Sequence, residues 1–248
     1  MKYLFARATK KRQLTTLLAL LRPMSTGHPL IRIGAEADGG YLVPDDLDGI
    51  RQCFSPGVDI KSDFEFDCAN RGMDVFMADA SVEGPARDHP KFHFEKHFIG
   101  GFARQQMIDF ADWVDRLAAP DGDLMLQMDI EGYEYEVLAA MPARLLSRFR
   151  IMVVEFHGLS RLLERSFYDL AFPVFEKLAG THVCAHIHPN NYLGTRANHG
   201  LEIPDLVEFT FFRRDRAQTL MPALSFPHPL DRDCCARKPL KLPGCWYE

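Results

Sequence analysis

The sequence predicts an α/β fold built on a mostly parallel sheet of seven strands whose last strand is antiparallel. Three observations predict it. Apolar runs of strand length alternate with helical stretches along most of the 248 residues, the β-α-β succession of a parallel sheet. Leu124 to Met128 is an apolar strand that ends in acid at Asp129 and turns through Ile130-Glu131-Gly132 into a helix from Glu134. Only a loop, Asn190 to Pro204, separates the last two strands. That is too short for a helical crossover of about a dozen residues plus its own turns, so the final pairing reads as antiparallel.

In order along the chain, Leu14 to Leu21 reads as an amphipathic helix ended by Pro23, within an N-terminal helical extension over residues 1–26. Packing on the protein's own flank is the plain reading of that helix; docking to a membrane surface or a partner is the alternative. Asp38-Gly39-Gly40-Tyr41 turns into the short apolar Tyr41-Leu42-Val43, stopped by Pro44, and suggests a small hairpin or lid. Ile50 to Phe54 is the first core strand, Ser55-Pro56-Gly57-Val58 the following turn, and Asp63 to Arg71 a helix closed by Gly72. Val75 to Ala78 is a second strand ending at Asp79, and Phe92-His93-Phe94 a third. Met107 to Leu117 reads as a helix, Leu124 to Met128 as the fourth strand, Glu134 to Met141 as a helix and Ile151 to Phe156 as a fifth strand, rich in β-branched residues. Arg161 to Leu178 is mostly helical despite Pro173; His182 to Ile187 and Val207 to Phe212 complete the seven strands. No internal repeat or second domain interrupts residues 1–248, and the prolines of residues 222–248 suggest an extended tail wrapped over the body.

Composition narrows the function. With 47% hydrophobic and 25% charged residues the chain has the makeup of a globular protein, and a net charge of −5 offers no general attraction to nucleic acid. No apolar run exceeds five residues, against the roughly 20 that a membrane-spanning helix needs. Lys10-Lys11-Arg12 and the apolar run after it imitate a signal peptide, but Arg22-Pro23 interrupts the run and no small-residue cleavage site follows. None of the six cysteines shows C-x-x-C spacing, so free thiols in a cytoplasmic protein are the simplest account. Cys234-Cys235 with Cys245 could in principle hold a metal; adjacent cysteines in a proline-rich tail more often carry no chemistry.

The richest chemistry collects at the carboxyl edge of the sheet, where open α/β folds bind their ligands. Asp129 and Glu131 follow the fourth strand and His157 follows the fifth; an imidazole titrates near neutrality and suits a general base. His186 and His188 are read as facing opposite sides of the sheet, so only one is expected to reach the site, and His188 is preferred because it runs into the polar Pro189-Asn190-Asn191. Asp129, Glu131, His157 and His188 together could hold a divalent cation such as magnesium. Plainer readings stand beside these. Glu131 would favour the positive start of a helix, Glu155 would be a buried and paired strand residue, and Glu134 and Glu136 would be a solvated helix face.

Asp129-Ile130-Glu131-Gly132-Tyr133-Glu134 resembles the D-x-E-G-x-E motif of the FkbM-like methyltransferases. The resemblance extends through Asp38-Gly39-Gly40-Tyr41, Ser55 and Gly57 with Phe64-Glu65, Val154-Glu155-Phe156-His157, His188-Pro189-Asn190-Asn191-Tyr192 and Pro227-His228-Pro229-Leu230-Asp231. It implies a Rossmann-like class I methyltransferase fold, with helices on both faces of the sheet and S-adenosylmethionine as cofactor. It further implies a cofactor site made by Ser55, Gly57, Asp59, Glu65, Asp79, Ala80 and Asp129, with Asp79 holding a ribose. Ala78-Asp79-Ala80-Ser81 departs from the Asp-Pro expected there. Trp113, Tyr133 and Phe102 are candidates for the adenine wall, and Tyr41, Asn190 and Asn191 for binding the acceptor. The catalytic residues implied are His157, Asp129 and His188.

The activity expected is O-methyl transfer to a sugar or glycan-like acceptor, in a protein that could form homo-oligomers. Two rivals remain: a non-catalytic glycan-binding or complex-forming module on the same fold, and a nicotinamide-dependent oxidoreductase, which the absence of a G-x-G-x-x-G run argues against.

Overall fold

The structure is a computed structural model and describes residues 7–58 and 60–248. The central sheet consists of β1 (Gln52–Pro56), β2 (Asp74–Ala78), β3 (Phe92–Glu95), β4 (Leu124–Met128), β5 (Phe149–His157), β6 (His182–Pro189) and β7 (Leu206–Arg213). Their order across the sheet is β6-β7-β5-β4-β1-β2-β3. Six strands run parallel, and β7 inserts antiparallel between β5 and β6. The strand order reverses between β1 and β4, which opens a crevice at their carboxyl ends.

The two faces of the sheet are covered differently. One is packed by α1 (Lys11–Leu20), α3 (Phe110–Leu117), α4 (Glu134–Ala140), α5 (Ala143–Leu146) and α6 (Arg165–Thr181). Leu14, Trp113, Leu138, Leu145 and Phe175 of these helices meet Phe54, Leu126, Val154 and Phe209 of the strands. The other face carries α2 (Asp63–Asn70) and a hairpin of Leu30–Gly34 with Gly40–Pro44, whose Ile33, Tyr41 and Val43 meet Cys53, Met125 and Val153. Each fully buried Leu, Val or Phe contributes about 1.5–3 kcal/mol of transfer free energy, so this hairpin is a core layer and not a mobile lid.

Strand alternation then fixes which side chains share the hairpin's side. Cys53, Met125 and Val153 point there, and so do the residues two further along, Ser55, Gln127 and Glu155. Glu208 lies directly opposite Glu155 on β7, and His188 directly opposite Glu208 on β6. The face is apolar at its centre and polar toward the carboxyl edge.

Several boundaries differ from expectation. The helix anticipated from Met107 begins at Phe110, because the Asp109 carboxylate accepts from the Asp112 amide at 3.0 Å and caps it there. Met107–Asp109 pairs instead with Phe98–Gly100. The supposed loop Asn190 to Pro204 contains a hairpin of Thr195–Asn198 with Leu201–Pro204, turned by His199 and Gly200 at φ 55° and 75°. Ahead of α6, Leu159–Leu163 forms a separate 3-10 turn, and α6 continues through Pro173.

Both ends of the described chain are tied to the body. Leu14, Leu17, Leu18 and Leu21 are buried, and the Tyr168 hydroxyl on α6 donates to the Gln13 carbonyl at 3.0 Å. Met24–Ser25 pairs with Met221–Pro222, and Trp246, 1% exposed, donates its indole N–H to the Glu202 carbonyl at 3.1 Å. Among the described residues no helix is long and apolar enough to cross a membrane.

Candidate active site

A cavity of about 680 Å³ opens where the strand order reverses. One end is walled by Gly57, Ala78, Asp79, Ser81, Ile99 and Met107, the other by Asp129, Glu155, His157, Asn190, Cys234 and Cys235; Phe98, Tyr133 and Tyr192 stand at its sides.

At the first end, Gly57 has φ +82°, and a Cβ there would stand 1.5 Å from the Asp129 carbonyl oxygen. Its freedom is used against the chain's own backbone as well as beside the cavity. The turn after β1 lies on the turn after β4, where the Asp129 amide donates to the Pro56 carbonyl at 3.3 Å. Asp79 accepts from the Val58 amide at 3.1 Å on one oxygen, and from the Ser81 amide and hydroxyl at 2.7 Å each on the other. Ala80 is not among the lining residues, and Asp59 lies outside the described residues.

Ser55 and Glu65 are set behind this wall. The Ser55 hydroxyl lies 2.5 Å from Glu65 Oε1 and 2.6 Å from Gln127 Oε1, and Gln127 donates to the Tyr41 hydroxyl at 3.3 Å. Burial pushes Glu65 up to about 7, against the opposing effect of its hydrogen bond with Ser55. Tyr41 and Glu65 line a recess of about 50 Å³ beside the cavity and not the cavity itself.

The other end is organised by one buried acid. Glu134 is 0% exposed, which overturns its reading as part of a solvated face. Its Oε1 accepts from the amides of Ile130 at 3.2 Å and Gly132 at 3.0 Å, and so clamps a turn in which Glu131 and Gly132 take φ 54° and 101°. A non-glycine residue at positive φ costs on the order of 1–3 kcal/mol, which these two hydrogen bonds offset. Glu136 is likewise engaged, accepting from the Gly101 amide at 3.2 Å and from Arg104 at 2.8 Å.

His157 sits among three carboxylates: Nδ1 lies 3.0 Å from Glu134 Oε1, and Nε2 lies 3.3 Å from Glu131 and 3.7 Å from Asp129. Burial opposes its protonation, but Glu134, Asp129 and Glu131 outweigh burial and hold the imidazole up to about 9. Burial likewise pushes Asp129 up to about 7, partly countered by His157. Glu155 is raised well above the carboxylate range by burial and by Asp129 and Glu208, while Asn190 donates to it at 2.8 Å.

Asp129, Glu134 and His157 offer ligand atoms within 4.8 Å of one another. The set does not fit magnesium. That ion wants about six oxygens in an octahedron, whereas this set offers one imidazole and two carboxylates, of which Glu134 Oε1 already receives two backbone amides. His188 does not join the group. It lies two strands away from β5, with Glu208 and Cys234, and does not line the cavity. Residues two apart on a strand share a side, and His186 and His188 both face Asp231, at 2.8 and 3.7 Å. Asn191 is also turned away: its side chain donates to the Cys235 and Arg237 carbonyls and accepts from the Cys235 amide, all at 3.0 Å.

Of the aromatic candidates only Tyr133 lines the cavity. Trp113 is core, and Phe102 lies on the outer surface. Sequence reasoning missed Ser81, Ile99, Met107 and the Cys234-Cys235 wall. Only Ser81 carried a signal, as a hydroxyl two residues after a strand-ending acid.

Residues 70–171 match the Methyltransferase FkbM domain family, so the resemblance read in the sequence is borne out over that span. No curated protein matches the sequence. Similar solved structures include a protein assigned as a DNA modification methyltransferase from an E. coli prophage, at 9% identity and TM-score 0.40, with 66% of this chain and 47% of that one covered. The chain thus spans about half the length of that protein. Another is the magnesium protoporphyrin IX methyltransferase of Synechocystis PCC 6803 with SAH bound, at 12% identity and TM-score 0.34, covering 68% and 75% of the two chains. At such scores these likenesses carry no argument about chemistry. The family match, with the mostly parallel seven-stranded α/β sheet, supports S-adenosylmethionine-dependent methyl transfer.

Proposed function

From an FkbM methyltransferase domain with this cavity, we propose an S-adenosylmethionine-dependent O-methyltransferase acting on a hydroxyl of a sugar or glycan-like acceptor. One observation carries the reading: a single cavity at the reversal of strand order has Asp79, held by Ser81 and the Val58 amide, at one end and the Asp129–His157 pair at the other.

The residues present fit the cofactor. Asp79, held in place by Ser81 and the Val58 amide, stands on the cavity wall where a ribose would lie, and Ile99, Met107 and Phe98 offer an apolar wall for a planar base. The turn at Gly57 closes that end of the cavity, with Ser55 and Glu65 bracing it from behind. When bound, S-adenosylmethionine supplies a methyl group already activated by the positive charge on its sulfur.

The protein's own work is to hold the acceptor and take its proton. At neutrality His157, raised to about 9, is an imidazolium, whereas Asp129, at about 7, is in part ionised and exposed to the cavity. Asp129 is therefore the base that receives the hydroxyl proton, and His157 is the positioning residue that keeps the carboxylate available. Asn190 and Glu155 offer a donor and acceptors suited to sugar hydroxyls, and Tyr133 and Tyr192 offer aromatic edges at the mouth.

Calorimetric titration of the whole chain with S-adenosylhomocysteine tests the reading. Stoichiometric micromolar binding supports it and leads to a screen of sugar acceptors; absence of binding to folded protein overturns it.

A further inference from the structure

A second cluster of donor atoms stands behind the acceptor end, apart from Asp129 and His157. His188 on β6 and Glu208 on β7 are direct cross-strand partners, so rigid sheet fixes both. Cys234 comes from the C-terminal tail, held over them by the hydrogen bonds of Asn191 to Cys235 and Arg237. The ligand atoms of the three residues lie within 4.8 Å of one another, with Cys234 Sγ 3.2 Å from Glu208 Oε1.

Two independent features say that something is missing between them. His188 is 8% exposed, and neither of its ring nitrogens, both buried, has a hydrogen-bond partner among the described residues. Glu208 is buried, yet among the described residues no lysine or arginine makes an ion pair with it. The nearby Arg32 guanidinium donates instead to the carbonyls of Ala35, Ala37 and Leu230. The Cys234 thiol, His188 and Arg32 compensate the buried Glu208 only in part, and the nearest carboxylate to His188, Asp231 at 3.7 Å, is beyond hydrogen-bond distance; a divalent cation between the two would complete both.

We propose that His188, Glu208 and Cys234 form a site for a zinc-class divalent cation. One imidazole nitrogen, one carboxylate oxygen and one thiolate are the mixed donors that such an ion accepts and that magnesium or calcium does not. Three protein ligands leave a fourth position, and Cys234 lies on the cavity wall with Glu155, so that position faces the acceptor end. Asp231 stands 3.7 Å from His188 Nδ1, placed as the carboxylate that orients a ligating histidine through its other nitrogen. A tetrahedral site with bonds of about 2.0–2.3 Å sets its ligands roughly 3.5 Å apart, so the cluster closes by about 1 Å around the ion. Binding releases the Cys234 thiol proton, and the Glu208 and His188 imidazolium protons where present, to solvent; no electron moves.

Titration of the metal-free whole chain with Co²⁺ alone, followed by optical absorption, tests this without reference to methyl transfer. One equivalent is expected to bind with a thiolate-to-cobalt charge-transfer band and the strong visible bands of a four-coordinate ion, and Zn²⁺ is expected to displace it. Cys234→Ser is expected to remove the charge-transfer band and Cys235→Ser to keep it, while Asp231→Asn weakens uptake by about 10–100-fold. Thermal melts of each variant without metal report whether it is folded. Lack of stoichiometric uptake by folded wild-type protein overturns the site, as does a charge-transfer band that survives in Cys234→Ser. Loss of S-adenosylhomocysteine binding with Co²⁺ uptake intact would count against the proposed methyl transfer and leave this site standing.

Discussion

Glu134 Oε1 lies 3.0 Å from His157 Nδ1 and at the same time receives the amides of Ile130 and Gly132. One fully buried carboxylate therefore sets both the shape of the turn that carries Asp129 and the charge on the histidine beside it.

Glu134→Gln is expected to lower the His157 pKa from about 9 toward 6.5 and to cost about 1.5–3 kcal/mol in stability. In the wild type His157 is raised on folding. Its contribution to stability is therefore complete below pH 6.5 and is lost as pH rises through about 9. Urea melts on either side of that window should show the loss in wild type and a flatter profile in the variant, with imidazole NMR shifts reporting the pKa directly.

Asp129→Asn should leave the fold intact and reduce single-turnover methyl transfer by about 10²–10⁴-fold, the usual worth of a positioned base. In the wild type the rate should fall as pH drops below about 7, where Asp129 becomes protonated. A rate independent of pH across that range would remove Asp129 from the role.

Asp79→Asn replaces a carboxylate that accepts from Ser81 and the Val58 amide with an amide that brings donors of its own. Affinity for S-adenosylhomocysteine, measured by calorimetry, should fall by about 10–100-fold, the equivalent of 1.5–3 kcal/mol. Its melting temperature should change far less.

Gly57→Ala combines an unfavourable φ of +82° with a methyl group 1.5 Å from the Asp129 carbonyl oxygen. Destabilisation of about 3 kcal/mol or more is expected in urea titration. A variant as stable as wild type would mean that the turns after β1 and β4 do not lie against each other as described.

The sheet was legible because its strands carry the information locally. Leu124 to Met128 and Ile151 to Phe156 are apolar on both sides apart from Gln127 and Glu155 near the carboxyl edge, and the acid at Asp129 marks the strand's end. The Thr195–Asn198 strand was not legible, since three of its four residues are exposed and no apolar alternation betrays it. Within the site, Asp79, Asp129 and His157 follow from being the first polar groups past strand ends. Glu134 did not, because two acids at i and i+2 on a short helix look like surface until the fold presses one against a turn. Asn191 and His188 misled for a different reason. Their partners, Cys235, Arg237, Asp231 and Cys234, lie more than 40 residues away on the tail, and no local pattern records such an encounter.

The Ser55 hydroxyl has one proton, yet it lies within hydrogen-bond distance of an oxygen on Glu65 and an oxygen on Gln127. One neighbour must give rather than receive, and Glu65, raised to about 7, can do so by keeping its own proton. The direction then runs from Glu65 to Ser55 to Gln127 to Tyr41, linking α2, β1, β4 and the hairpin in a single sequence of donors. Such a sequence tolerates no slippage: moving any one of the four elements by a residue would set donor against donor or place an apolar side chain in the line. The layer that closes the hairpin side of the sheet is thereby keyed to one alignment, a discrimination that its interchangeable aliphatic contacts could not supply.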